Sequence, residues 1–142
     1  MKYNLVRTGT FETNSSSSHT ISICERSDFM VPDFQEEWFI HGGNYSDRYL
    51  TLVSFQEKLN HLGQVIWDIV ESQPEVNHNN CVQVLEDLIK EQTGCSKVTW
   101  CKESLYEGYT DWETADSKIL NYKDMKNLLF RTNSKILTGR AG

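Results

Sequence analysis

The stretch SFQEKLNHLGQVIWDIVE, residues 54–71, determines the fold because it carries the clearest helical pattern in the chain. Its apolar residues recur at alternating spacings of four and three, which places them on one stripe of an α-helix. These residues are Phe55, Leu59, Leu62, Ile66 and Ile69. Ser54 followed by Glu57 matches a capping box, so the helix is predicted to begin near Ser54. His61 lies on the polar side of the pattern and is expected at the surface.

Two further helices and several strands are predicted around this helix. The second helix covers about residues 79–92, and Gly94 stands where a left-handed C-terminal residue is favoured. A short helix covers residues 123–131, with Asn121 as its cap. Alternating or β-branched and aromatic runs predict strands. They cover residues 2–7, 20–23, 37–41, 96–101 and 134–138.

Strands and helices without regular βαβ alternation predict an α+β fold. The expected architecture is a mixed or mainly antiparallel sheet, with two longer helices and one short helix packed on it. A chain of 142 residues fits a single domain, residues 1–142, with a packed core. The dense run 37–41 is expected to be buried on both faces around Phe39. Residues 25–33 and 102–117 lack a regular period and are expected to be loops.

Composition excludes several classes of function. The net charge is −6 and the pI is near 5.2, which argues against non-specific binding to duplex nucleic acid or to an anionic membrane. The sequence has neither the apolar run of a signal peptide nor a membrane-spanning segment. We therefore expect a cytoplasmic protein with no membrane partner. The four cysteines form no Cys-x-x-Cys pair, so reduced thiols are expected and a zinc site is not.

Residues 7–19, RTGTFETNSSSSH, have a composition that neither a hydrophobic core nor a helix would require. They lie between two predicted strands, in a loop of about a dozen residues, and loops of that length in compact domains are often functional. One interpretation is a pocket for an anion or phosphate. Its ligand-binding residues would be Arg7, Asn14, Ser15, Ser16, Ser17 and Ser18, together with Ser134 near the C-terminus. The alternative is a polar loop whose side chains hydrogen-bond their own backbone.

Three residues are candidates for chemistry at this loop. His19 could act as a general base, with Glu12 or Asp111 as the acid, or the three could bind a metal. The alternative for His19 is a structural histidine at the start of a strand. No metal or cofactor is assigned, and whether the protein is an enzyme is left open.

A second group of residues follows the predicted fourth strand. Tyr106, Tyr109 and Trp112 could form an aromatic platform for a base or sugar, although aromatic residues in loops more commonly pack on the core. Acidic residues flank them, which is typical of a solvated face. These residues are Glu103, Glu107, Asp111, Glu113 and Asp116.

The motif Arg-x-Gly-x-Phe-Glu-Thr-Asn-Ser-Ser-Ser-Ser-His at residues 7–19 resembles the opening of a family of small uncharacterised proteins from bacteria, mostly Gram-positive, and their phages. The sequences GYTD at residues 108–111 and NSKILTG at residues 133–139 are similar to later parts of the same family. Relatives often have His after that Asp and an acidic residue after the final Thr-Gly. This chain has Trp112, Arg140 and Ala141 instead. The resemblance implies a bacterial or phage context and no mechanism.

Two functional hypotheses follow from the sequence. The first is a cytoplasmic protein that binds a phosphorylated or nucleotide-like ligand through the serine-rich loop, with hydrolytic or transfer chemistry left open. The second is a non-enzymatic phage or mobile-element protein that inhibits a host factor through an acidic surface bearing aromatic residues.

Overall fold

A computed structural model of the chain describes residues 4–9, 18–45, 49–72, 79–110 and 120–139, with side chains from Thr20 onwards. The predicted α+β class is confirmed. The elements in chain order are β1 (Asn4–Gly9), β2 (Ser18–Ile23), β3 (Glu37–Ile40), β4 (Leu50–Leu52), α1 (Phe55–Ser72), α2 (Asn79–Thr93), β5 (Lys97–Trp100), α3 (Lys102–Glu107), α4 (Tyr122–Phe130) and β6 (Lys135–Gly139). No helix in these ranges is long and apolar enough to cross a membrane.

The larger sheet has four strands in the order β1-β2-β6-β4, and every neighbouring pair is antiparallel. The C-terminal strand β6 is interior, because Ile136 pairs with Ile21 of β2 on one side and with Leu52 of β4 on the other. Strands β3 and β5 form a separate parallel pair. Strand β4 was not predicted, since its three residues are too few to show a period.

Helix α1 begins as its sequence predicts. The Ser54 N–H donates to Glu57 Oε1 at 3.1 Å, and the Glu57 N–H donates to Ser54 Oγ at 3.1 Å, so the capping box is confirmed. Four of the five stripe residues are fully buried: Leu59, Leu62, Ile66 and Ile69. The fifth, Phe55, is half-buried between the rings of Trp38 and Phe130.

The ends of the other helices also follow their local sequence. Gly94 has φ 77°, the left-handed conformation that a residue without Cβ adopts readily, and it follows the end of α2. Asn121 Oδ1 accepts a hydrogen bond from the Asp124 N–H at 2.9 Å, which confirms Asn121 as the cap of α4. Gly94 therefore marks the end of α2, and Asn121 marks the start of α4.

Two predictions about burial are wrong. Phe39 is 40% exposed, whereas Trp38 and Ile40 are buried, so β3 alternates and has only one buried face. His61 is 1% exposed and its ring packs edge-on against Tyr45 at 4.8 Å, so it is not a surface residue. The side of α1 that looks polar in sequence is covered by the chain around Tyr45, which a helical pattern cannot reveal.

The predicted loop 102–117 is also partly wrong. Its first residues form helix α3, and Asn44 then makes a parallel bridge with Tyr109. Its last seven residues, 111–117, lie outside the described part of the chain. Helix α3 has only six residues, too few to show the spacing that identified α1.

Gly63 provides a test of how closely α1 packs on β3. Alanine usually stabilises a helix interior by about 1 kcal/mol relative to glycine. Here a Cβ on residue 63 would lie 2.2 Å from Ile40 Cγ2, inside contact distance of a fully buried side chain. We therefore expect Gly63→Ala to destabilise the protein by about 1 to 3 kcal/mol in urea unfolding, as overpacking does.

The matched control removes the atom that clashes. In an Ile40→Ala background, Gly63→Ala should cost much less, or should stabilise, because Cγ2 is gone. Equal costs in the two backgrounds would contradict the close approach of α1 and β3.

Candidate functional site

Strand pairing fixes both ends of the serine-rich segment. Gly9 of β1 pairs with Ser18 of β2, and Ser18 pairs on its other side with Gly139 of β6. Thus the segment leaves and re-enters the sheet at neighbouring strands, beside the C-terminal end of β6. Several predicted site residues lie outside the described part: Glu12, Asn14, Ser15, Ser16, Ser17 and Asp111.

His19 lies in a row of paired residues across the sheet. Its backbone pairs with Thr8 of β1 and with Thr138 of β6, and Thr138 pairs in turn with Leu50 of β4. The Leu50 N–H also donates to Thr138 Oγ1 at 3.1 Å. Four strands span about 14 Å at the usual strand spacing. Arg7 is one position away, paired with Thr20, and the side chains of Arg7, Ser18 and His19 lie outside the described part.

Ser134 lies at the other end of β6. It stands five positions before Gly139, which corresponds to about 17 Å along a strand. Its Oγ accepts a hydrogen bond from the Cys24 N–H at 3.0 Å, and its side chain is 1% exposed. The structure therefore does not bring Ser134 together with Ser18, and the ligand-binding role of Ser134 stays a prediction.

A buried polar network on α1 fixes the segment before Asp111. Gln64 Nε2 donates to Asp68 Oδ1 at 2.9 Å and to the Leu105 carbonyl at 3.0 Å, while Gln64 Oε1 accepts from the Gly43 N–H at 3.1 Å. Asp68 Oδ2 accepts from the Thr110 N–H at 2.9 Å. Burial raises the pKa of Asp68, and these hydrogen bonds oppose the rise.

Glycine is required where this network meets the backbone. A Cβ on Gly108 would lie 2.1 Å from Gln64 Oε1, and a Cβ on Gly42 would lie 2.2 Å from the Ser104 carbonyl oxygen. Only residues without a side chain allow the two segments to approach so closely. As a result, Thr110 is held in place, and the predicted acid Asp111 is the next residue in the chain.

Sequence reasoning missed Gln64 and Asp68. Their spacing of four is the same as that of Gln83 and Asp87 on α2, where Gln83 Nε2 donates to Asp87 Oδ1 at 2.8 Å on an exposed surface. The two pairs look alike in sequence. Only burial and the partners from distant segments distinguish the pair on α1.

The short connection from Tyr45 to Leu50 contacts both the segment that ends at Thr110 and strand β6, which adjoins the serine-rich segment. The Tyr45 N–H donates to the Tyr109 carbonyl at 2.9 Å, and Leu50 pairs with Thr138. Leu50 is five positions after Tyr45, so the two contacts are at most about 18 Å apart along an extended chain. The segment that ends at Thr110 and strand β6 beside the serine-rich segment are thus connected over at most this distance.

Two of the three predicted aromatic residues, Tyr106 and Tyr109, are exposed. Tyr106 is exposed and packs edge-on against Trp67 at 5.1 Å, and Tyr109 is also exposed. Trp112 lies outside the described part. Tyr106 therefore rests on α1 through one edge, which leaves much of its ring accessible to a partner.

Lys58 is a buried cation that sequence reasoning also missed. It is 2% exposed, and its Nζ donates to the Ser134 carbonyl at 3.0 Å and to the Arg131 carbonyl at 3.4 Å. No carboxylate among the described residues pairs with it. Desolvation lowers the pKa of Lys58 to about 8. The residue lines a cavity of about 370 Å³.

A second cavity, of about 510 Å³, is basic. Lys123 and Lys126 of α4 line it together with Phe29 and Arg131, and Glu25 is the one carboxylate among the described residues of its lining. Arg131 Nη1 donates to the Ser27 carbonyl at 2.6 Å, and its guanidinium carbon lies 3.7 Å from the centre of the Phe29 ring. Positive charge is thus concentrated at one place on an acidic protein.

The four cysteines are free thiols. Within the described ranges, no group of three or more His, Cys, Asp or Glu side chains is arranged to hold a metal ion. Comparison with known proteins found no matching family model, no matching curated protein and no matching solved structure. The functional argument therefore depends on the geometry of the chain itself.

Asp68 tests whether the network on α1 holds the Thr110 segment. We expect Asp68→Asn to destabilise the protein by about 1 to 3 kcal/mol. The amide NH₂ group that replaces one carboxylate oxygen would face the N–H donor of either Gln64 or Thr110, so one hydrogen bond is lost. Asp87→Asn is the matched control, because its pair has the same spacing on an exposed surface. It should change the unfolding free energy by less than about 0.5 kcal/mol.

Urea unfolding of the two variants measures this difference. A cost for Asp68→Asn no larger than that for Asp87→Asn would show that the network does not constrain the segment.

Proposed function

We propose that the protein binds a phosphorylated or nucleotide-like ligand where the serine-rich segment adjoins the C-terminal end of β6. The observation that supports this most strongly is the register of the sheet, in which Ser18 pairs with both Gly9 and Gly139. A loop anchored at both ends by strands loses less conformational freedom when it binds a ligand. Such anchoring would suit a segment rich in hydroxyl and backbone donors for oxygen atoms.

The roles proposed for individual residues follow from their chemistry. Arg7 would supply a positive charge, and Asn14 with Ser15 to Ser18 would donate hydrogen bonds to ligand oxygens. His19 would act as general base in any hydrolysis or transfer, with Asp111 or Glu12 as acid. The Thr110 N–H donates to Asp68, and this hydrogen bond supports a fixed backbone position directly before Asp111. The proposed location is the cytoplasm of a bacterial cell, in a phage or bacterial context.

A second candidate function is the inhibition of a host protein through a surface contact. Four apolar residues between positions 29 and 34 support it, because they are 45 to 64% exposed: Phe29, Met30, Val31 and Phe34. Exposed apolar clusters commonly mark contact surfaces. The nearest charges that line the cavity at Phe29 are mostly basic, namely Lys123, Lys126 and Arg131. A contact surface at this location would differ from the acidic surface expected from the sequence.

A thermal-shift screen of nucleotides, inorganic phosphate and divalent metals tests the first proposal. A ligand at about 100 times its dissociation constant should stabilise the wild type by roughly 2.7 kcal/mol. His19→Ala should reduce that shift because it removes a polar group from the proposed site. His41→Ala is the matched control, since His41 is an exposed histidine outside the proposed site, and it should bind as the wild type does.

The outcome also separates the two candidates. Equal shifts for His19→Ala and His41→Ala would remove His19 from the site. No stabilisation by any compound would contradict ligand binding and favour the contact surface.

A further inference from the structure

The structure points to a second site, independent of the serine-rich segment. We propose that Lys58 is a reactive amine that forms a Schiff base with a small, mainly apolar aldehyde or ketone entering the cavity beside it. Three features support this: the burial of the amine, its hydrogen-bond partners and the lining of the cavity.

The first feature is a buried nitrogen without a counter-ion. Lys58 is 2% exposed, and its two partners are the neutral carbonyls of Arg131 and Ser134. A carboxylate would hold the ammonium form, whereas neutral carbonyls in an apolar setting do so much less. Desolvation lowers the pKa of Lys58 to about 8, so part of the population carries a neutral amine at neutral pH. The neutral amine is the nucleophilic form.

The second feature is the number of hydrogen bonds. A neutral amine has two N–H donors and one lone pair, and Lys58 Nζ has two carbonyl acceptors. Both carbonyls therefore keep a hydrogen bond after the ammonium group loses a proton, and the nitrogen lone pair remains available for reaction. The protein stabilises the reactive form without leaving a buried acceptor unpaired.

The third feature is the cavity, which has a volume of about 370 Å³. Apolar groups dominate its wall, including Met30, Pro32, Val53 and Phe55. That volume lies at the small end of the range for ligand sites, and a small carbonyl compound fits within it.

The reaction balances with the amine and the carbonyl compound alone. The Lys58 lone pair attacks the carbonyl carbon and forms a C–N bond, and the carbonyl oxygen takes up a proton. Loss of one water molecule breaks the C–O bond and leaves a C=N bond, with both original N–H hydrogens and the oxygen departing as water. Uptake of one proton from solvent then gives the protonated imine, whose single N–H can donate to the Ser134 carbonyl at the position used by the free amine.

Reductive trapping of the full chain tests the proposal. The protein is incubated with butanal and cyanoborohydride at about pH 7.5, and modified lysines are mapped by mass spectrometry. At that pH the neutral fraction of Lys58 exceeds that of an ordinary lysine on the order of a hundredfold, although a less basic amine is also less nucleophilic. We expect Lys58 to be modified on the order of tenfold faster than the exposed Lys90 and Lys102.

Two variants make the result specific. Lys58→Met removes the amine and should abolish the fast modification. Val53→Phe keeps the amine but narrows the cavity at a half-exposed wall position, and it should slow modification of Lys58 while Lys90 reacts as before. Modification of Lys58 no faster than that of Lys90 would overturn the proposal. An unchanged rate at Lys58 in Val53→Phe would overturn the assigned cavity.

Discussion

The hydrogen bonds of Lys58 hold the first turn of α1 against the turn between α4 and β6. Its ammonium donates to the carbonyls of Arg131 and Ser134, and Ser134 Oγ accepts from the Cys24 N–H at the end of β2. These buried hydrogen bonds thereby join α1 to the ends of two strands of the larger sheet, β2 and β6. The charge is costly to bury, and its hydrogen bonds satisfy two carbonyls that follow the end of α4.

Helix α1 thus positions both regions that the functional proposal uses. Near its start, Lys58 fixes the turn from which β6 runs towards the ends of the serine-rich segment. Two turns later, Gln64 and Asp68 hold the backbone that leads to Asp111. Strand β6 pairs with both β2 and β4, so a constraint on β6 also affects these two neighbours in the larger sheet. The cavity that Lys58 lines is a separate feature at the same end of α1.

The sequence predicted features that depend on local pattern. The stripe and capping box of α1, the left-handed Gly94 and the cap at Asn121 were all correct because each depends on residues within a few positions of one another. The α+β class followed from the order of those elements. The roles of the serine-rich residues, by contrast, stay predictions, because most of their side chains lie outside the described part.

Features that depend on distant segments were missed. His61 and Lys58 look solvent-exposed in a helical pattern, yet segments around Tyr45 and Ser134 cover them. Gln64 and Asp68 could not be distinguished from the exposed pair on α2 by spacing alone. Polar residues on a helix become buried only when another part of the chain supplies partners, and a linear pattern does not contain that information.

The pH dependence of unfolding tests the buried, unpaired state of Lys58 most directly. The pKa of Lys58 is about 8 in the folded protein and near 10.4 in an unfolded chain, so the unfolded state binds more protons between those values and stability rises with pH. Relative to Lys58→Met, the unfolding free energy of the wild type should increase by about 2 kcal/mol between about pH 7 and pH 9.5. Burial also raises the pKa of the Cys81 and Cys101 thiols, but both proteins share that contribution, so it cancels in the comparison. Parallel pH profiles for the two proteins would contradict the account, because they would mean that Lys58 titrates in the folded protein as it does in the unfolded chain.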